Sequence, residues 1–334
     1  MTGISFGDLA QAYTTKSRIG GLKSDSIRLA NELASGKKTD IAASLSGDTS
    51  GLAALERSRQ MLDGFISAAG GAAVKAQTQQ AALSSISAEL EGLSEAFSTL
   101  SQDSDGTQGQ RVADRAKTAF ASAFSTLNTK VAGQAIFAGM ALNGPALAPP
   151  ETVLDALETL VSGAQTAEEI SARVTAWFDS PTGFASVAYV GAAAAPGLRI
   201  DAEGTSVDDQ TAASAQIRKA LAGLAVASFI DHPNLSTSGA DRMALRDHTI
   251  DALQSGVTAL VDLSARIGTD EARIETAISH QQAASLTQEL TISNLISTDP
   301  AQTAVELEAV RTSLEMAYTV TARLSELTLA RFLR

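Results

Sequence analysis

No cysteine occurs among the 334 residues. Disulfides, thiolate metal ligands and cysteine nucleophiles are therefore excluded, and the fold cannot depend on the redox compartment. Aromatic residues are scarce at 4%, which argues against an aromatic-rich β-sandwich or barrel. Only seven prolines interrupt the chain, so helices have long stretches in which to run. Basic residues are outnumbered, 25 Lys and Arg against 37 Asp and Glu, for a formal charge of −12. Residues 1–140 balance at 13 of each sign, 141–235 carry 11 acids against Arg173, Arg199, Arg218 and Lys219, and 236–334 carry 13 acids and 8 bases. No segment has the basic excess that neutralising phosphates requires, so nucleic acid is not an expected partner. The acidic middle reads as a solvated outer surface. Long apolar runs are missing as well. No membrane span is visible, and Met1-Thr-Gly-Ile-Ser-Phe-Gly-Asp-Leu9 lacks the basic and apolar regions of a cleavable signal peptide. By these rules alone the protein reads as cytoplasmic and without a membrane partner.

What the chain does contain is helical patterning. The hydrophobic share of 44% is enough to bury a core, and the length predicts two or three domains at about 150 residues each. From Leu52, steps of 3 and 4 give Leu52, Leu55, Arg59, Leu62, Ile66, Ala69, Ala73, Ala76, Gln80, Leu83, Ser87, Leu90, Ser94 and Phe97. A second track, Ile86, Leu93 and Leu100, widens the stripe at its end. With no proline between Leu52 and Leu100, this predicts one continuous helix of about 75 Å, which needs a long partner. Leu253, Leu260, Leu263, Ile267, Ile274, Ile278, Leu286 and Leu290 supply that partner within Asp241–Asn294. The helix breaks at Ser297-Thr298-Asp299-Pro300, where Asp299 suits an N-cap and Pro300 the first helical position. Near the start, Ile19, Leu22, Ser26, Leu29 and Leu33 form a stripe that ends at Gly36, a C-cap candidate. A further helix is predicted over Gln110–Lys130.

The middle segment has a different texture. Pro145, Pro149 and Pro150 end the helical region. Short helices are predicted near Thr152–Ser162 and Ala167–Asp179, strands at Val187–Val190 and Leu198–Asp201, and a helix from about Asp209 to Phe229 capped by Asp208 or Asp209. The expected fold is thus mainly α: a long antiparallel helical bundle or coiled-coil rod from the two end regions, carrying a small α+β insertion. Motifs of catalysis and metal binding are weak throughout. His232, His248 and His280 have no ligand spacing. Asn31-Glu-Leu-Ala-Ser-Gly36-Lys37-Lys38 departs from a phosphate loop at its first Gly and its Ser or Thr. Ser101-x-Asp103-x-Asp105-Gly106 resembles half a calcium loop, but Val112 stands where the closing Glu belongs. No enzyme, cofactor or metal role is expected.

Apolar stripes also lie near both chain ends. Leu307, Val310, Leu314, Val320, Leu324, Leu327, Leu329 and Phe332 mark the last helix, and Ile19, Leu22, Leu29 and Leu33 the first. Two such helices cover only one seam of each other, so an apolar face is expected to remain open to other copies. Residues 1–45 and 300–334 are expected to be poorly ordered alone. A self-contained antiparallel coiled coil is the alternative.

Several segments resemble the flagellin family. Leu29-Ala-Asn-Glu-Leu33-Ala-Ser-Gly36-Lys37-Lys38 is similar to its N-terminal Leu-Ser-Ser-Gly segment. Ile267-Gly-Thr-Asp-Glu-Ala-Arg273-Ile274, Ile292-Ser-Asn-Leu-Ile-Ser-Thr-Asp299 and Leu324-Ser-Glu-Leu-Thr-Leu-Ala-Arg-Phe-Leu333 are similar to its closing helices. Val131-Ala-Gly133-Gln-Ala-Ile-Phe137-Ala-Gly139, followed by Asn143-Gly-Pro145, is most like the hook–filament junction members. Ile41-Ala-Ala-Ser-Leu-Ser-Gly-Asp48-Thr replaces the Asp-Asp-Pro usual there, so filament flagellin stays open as an alternative. The resemblance implies assembly segments at 1–45 and 291–334, a rod at 46–140 and 238–290, and an outward insertion at 141–237. It implies secretion by the flagellar export apparatus with an export chaperone, and an extracellular place at the hook–filament junction. The implied partners are copies of the chain in a ring or helical layer, adjacent hook-associated proteins and flagellin. A cytoplasmic coiled-coil adaptor or export chaperone is the rival reading from another class.

Overall fold

The computed structural model describes residues 6–101, 106–202, 204–232 and 239–332. Ten helices and two small antiparallel hairpins make up these residues, so the chain is mainly α, as its periodicity predicts. They divide into two compact units, Met1–Met61 with Ala283–Arg334, and Leu62–Gln282. Helices α3 (Ser50–Ser98) and α9 (Gly239–Ile296) contribute to both.

In the first unit, α1 (Phe6–Ser35) packs against α10 (Pro300–Phe332). Gly36 closes α1 at φ +70°, its N–H reaching the Glu32 carbonyl at 2.8 Å, as the C-cap reading requires. A single helical turn, α2 (Ile41–Ser44), follows under an Asp40 cap. Asp48 then starts α3 by accepting from the Ser50 N–H and hydroxyl, which holds its carboxyl below the usual range. Asp299 caps α10: its carboxylate accepts from the N–H groups of Ala301 (2.9 Å) and Gln302 (3.2 Å). Gln288 on α9 donates to Ser58 on α3 at 2.8 Å.

The second unit holds the main core. Within α3, the seam from Leu62 to Phe97 is buried or half-buried at every position, and Ile86, Leu93 and Leu100 are buried beside it. Helix α4 spans Gly106–Leu127 and adds Phe120 and Phe124, whose rings lie 4.5 Å apart. Helix α5 (Pro150–Val161) starts on its prolines, and α6 (Ala167–Asp179) opens with a reciprocal cap. There the Thr166 hydroxyl accepts from the Glu169 N–H at 3.2 Å, while the Glu169 carboxylate accepts from the Gln165 N–H at 2.8 Å. Helix α8 (Ala215–Ala227) packs on α4 and α6, and every residue from Ala220 to Ala227 is buried. Arg246 on α9 donates to the Leu100 carbonyl at 2.8 Å, satisfying an orphan acceptor just past the end of α3.

The middle segment departs from the sequence expectation at several places. Val187 belongs to the helical turn α7 (Phe184–Val187), its N–H bonded to the Gly183 carbonyl at 2.9 Å; of Val187–Val190, Tyr189 alone pairs, with Leu147. The hairpin of β3 (Leu198–Arg199) and β4 (Ser206–Val207) supplies the other strand. Helix α8 begins at Ala215 after Ser214, not at Asp209, because Asp209 is drawn elsewhere: its carboxylate meets Lys75 and accepts from the Ala195 N–H at 2.8 Å. Helix α4 stops at Leu127, and Lys130 opens the hairpin of β1 (Lys130–Val131) and β2 (Gln134–Ala135). Leu286 and Leu290, placed on the buried stripe of α9 by their spacing, are each 58% exposed.

Candidate functional site

The terminal helix pair is where the sequence places function. Leu29 and Leu307 are buried at 3% and 6% exposure, and Ile19, Leu22, Val310 and Leu314 are half-buried. Leu33 and Val320 are exposed, at 37% and 53%. Leu324, Leu327, Leu329 and Phe332 lie in the last turns of α10, and their side chains fall outside the described residues. The pair thus covers one seam, centred on Leu29 and Leu307.

A second set of apolar residues points away from that seam. Tyr13 and Ile27 on α1, and Val305, Met316 and Val320 on α10, are all more than half exposed. At 100° per residue, Tyr13 and Ile27 fall within about 40° of each other, and Val305, Met316 and Val320 within about 60°. Leu22 and Leu29, and likewise Leu307 and Leu314, fall on the other side of their helices by the same count. Sequence periodicity picked out Val320 but missed the other four, because it follows the strongest stripe. Their signal is an isolated large apolar side chain outside the seam, and such residues are common on any surface.

At the inner end of the pair the backbone makes a contact that no motif announces. Lys37 and Ser297 form an antiparallel bridge. Lys38 N–H donates to the Ile296 carbonyl at 2.8 Å, and Thr298 N–H to the Gly36 carbonyl at 3.0 Å. Glu32, 6% exposed, accepts from the Thr39 N–H at 3.0 Å and from Arg28 at 3.3 Å. Burial works against the Arg28 charge, but hydrogen bonds to Asp25 and Glu32 hold it above its ordinary pKa. An open polar cleft of about 840 Å³ lies over this contact, lined by Arg28, Glu32, Lys38, Asp40, Asp299 and Glu306 among others. Both signs of charge meet in it, four carboxylates against Arg28 and Lys38.

In the second unit, the Gly133–Gly139 motif has a structural explanation. Ala132 (φ +50°) and Gly133 (φ +82°) form the two-residue turn between β1 and β2, the geometry of a type I′ hairpin. Phe137 is fully buried, and its carbonyl accepts from the Ala212 N–H at 2.9 Å. Gly139 (φ +61°) lets the chain pass against the 192–193 backbone, where a Cβ would stand 2.4 Å from the Ala193 oxygen. The buried Gln79 amide ties the segment to α3, donating to the carbonyls of Ile136 (3.0 Å) and Gln210 (3.2 Å). Beside it runs an apolar groove of about 500 Å³, lined by Val74, Leu142, Pro196, Leu198 and Val207, with Lys75 and Asp209 paired in its wall. Nearby, burial raises the Tyr189 hydroxyl above the ordinary phenol range, against a hydrogen bond with Thr211 that lowers it; Asp209 adds to the rise.

Asp103 and Asp105 of the half calcium loop lie outside the described residues. Among the described residues, no group of three His, Cys, Asp or Glu is placed to hold a metal, and no helix is long and apolar enough to cross a membrane.

No family model matches the chain, and no curated protein does. Among solved structures it is similar to a chain of Vibrio parahaemolyticus provisionally described as a flagellar hook-associated protein. The two are 15% identical with a TM-score of 0.50, over 75% of this chain and 99% of that one. At that identity the likeness establishes a shared fold.

Proposed function

We propose that the chain is a structural subunit of the bacterial flagellum, working at the hook–filament junction. One observation carries the reading: α1 and α10 cover a single seam and leave Tyr13, Ile27, Val305, Met316 and Val320 exposed on their other faces. A helix pair apolar on two sides suits a subunit whose neighbours complete the burial. The shared fold with a chain described as hook-associated, and the flagellin-like segments at 29–38, 267–274, 292–299 and 324–333, support the same reading. In this account 1–45 and 291–334 are assembly segments, 46–140 and 238–290 form the rod, and 141–237 face outward with their acidic surface. The chain leaves the cell unfolded through the flagellar export apparatus, escorted by a chaperone. It joins copies of itself in a ring or helical layer, between hook-associated proteins and flagellin, and its role is mechanical, with no catalysis.

The test is complementation of a strain deleted for the gene, using Leu324→Asp and Val320→Asp. Val320 is 53% exposed, so its substitution should move monomer stability by no more than about 0.5 kcal/mol. A carboxylate buried without a partner at a subunit contact costs several kcal/mol, so both variants should lose filaments and motility. Normal motility with either stably produced variant refutes the reading. Long filaments from the purified chain alone identify filament flagellin instead. Recovery only from cytoplasm, with rigid chain ends, identifies an adaptor or chaperone.

A further inference from the structure

Helices α1 and α10 come from opposite parts of the chain, yet they pack as a helical hairpin does. α1 runs toward the Lys37–Ser297 bridge, and α10 runs away from it. What a hairpin obtains from its short connecting loop, this pair obtains from two backbone hydrogen bonds, Lys38 N–H to Ile296 and Thr298 N–H to Gly36. Both strands of the bridge are fixed locally. On one side, Gly36 terminates α1 and the buried Glu32 carboxylate grips the Thr39 N–H. On the other, the Ser297 N–H returns to the Ser293 carbonyl at 2.8 Å, and the Thr298 and Thr303 hydroxyls share a hydrogen bond of 2.6 Å. Counted outward at equal rise from the helix ends at Ser35 and Pro300, Leu29 and Leu307 fall within one residue of level, and so do Leu22 and Leu314. Burial follows that count, deepest at Leu29 and Leu307 near the bridge and weaker at Leu22 and Leu314.

We infer that the bridge between residues 36–38 and 296–298 is a clasp that sets the register of α1 on α10 and makes the two helices order and melt as one unit. Within one chain each helix buries a single seam, and each depends on the other for it. The clasp brings these distant segments together and removes most of the entropy that would oppose their meeting. A subunit ordered in this way acquires both terminal helices in a single step. The inference concerns how the two helices gain and lose order together, in the free chain or against neighbouring copies.

The absence of cysteine makes a direct test clean. In an antiparallel bridge of this kind the opposed residues are a non-hydrogen-bonded pair with Cα atoms about 4.5 Å apart, within disulfide reach. Lys37→Cys with Ser297→Cys is prepared in the full chain, and hydrogen exchange is followed by mass spectrometry in the oxidised and reduced forms. Oxidation should cross-link the monomer and slow exchange roughly tenfold in both α1 and α10, leaving α8 unchanged as the internal control. Glu32→Ala, which releases the Thr39 N–H, should speed exchange in both helices by a common factor. Failure of the cross-link to form within one chain, or a change confined to one helix or to neither, overturns the inference.

Discussion

Replacing Gly139 by Ala tests whether the fold requires a glycine backbone at this position. The added Cβ would stand 2.4 Å from the Ala193 oxygen and 2.5 Å from the Ala192 oxygen, and side-chain rotation offers no escape for a methyl group. At φ +61° the new residue would also sit in the left-handed region, costing about 1–2 kcal/mol. Relief requires the 192–193 backbone to retreat, which strains two hydrogen bonds, Ala192 N–H to Ala138 (2.9 Å) and Met140 N–H to Ala193 (3.1 Å). Each contributes about 1 kcal/mol, so the substitution should destabilise the second unit by about 3–4 kcal/mol. For a unit of this size that corresponds to a melting temperature lower by roughly 10 °C. The chain's one tryptophan reports on it directly: Trp177 lies 5.2 Å from Phe178 and 6.5 Å from Phe184, ring to ring, inside the second unit. Thermal unfolding followed by Trp177 fluorescence is the assay. A transition within about 2 °C of the parent's refutes the reasoning, since the clash would then be absorbed at a cost of no more than about 1 kcal/mol.

Two further substitutions probe the same unit. Ala132→Asn should raise the Trp177 transition by roughly 2 °C, because Asn accepts the positive φ that Ala132 adopts in the turn, a gain of about 0.5–1 kcal/mol. Asp270→Asn tests a carboxyl whose pKa burial raises, helped by Asp208 and opposed by Arg273. A raised folded pKa means the parent pays for the charged form above it and regains that stability as pH falls toward the ordinary carboxyl range. The Asn variant should therefore melt higher than the parent at pH 7, with the difference shrinking as pH falls toward 3.8, the ordinary carboxyl value; an unchanged difference across that range contradicts the assignment.

The long helices were legible because burial on a helix repeats, and a repeat survives without knowledge of the partner. Arg59, Gln80, Ser87 and Ser94 interrupt the apolar seam of α3 yet occupy it in the structure, half-buried like their neighbours. Gln80 does so by donating to the Ser264 carbonyl on α9 at 2.8 Å. Positions decided by a single distant contact were not legible. Asp209 has the chemistry of a helix cap, but Lys75, 134 positions away in sequence, engages it instead. Val187–Val190 has the residues of a strand, but the Gly183 and Phe184 carbonyls take the N–H groups of Val187, Ala188 and Tyr189 into a turn. The same limit applies at the candidate site. Leu29 and Leu307 could be found by spacing, whereas the bridge between Lys37 and Ser297 is a backbone contact across 260 residues and leaves no trace in residue type.

The enclosure of α8 has a consequence for the time course of folding. Its neighbours α4 and α6 precede it in the chain, and Leu253, Leu260 and Leu263 of the same core come later still. An N-terminal fragment stopping before Ala215 therefore lacks the helix against which α4 and α6 pack. Closure of so many contacts between remote segments is slow compared with helix formation. A polypeptide drawn lengthwise through a narrow passage, leading end first, would emerge with formed helices and an unfinished interior, and would lock only after some 260 residues had cleared the exit.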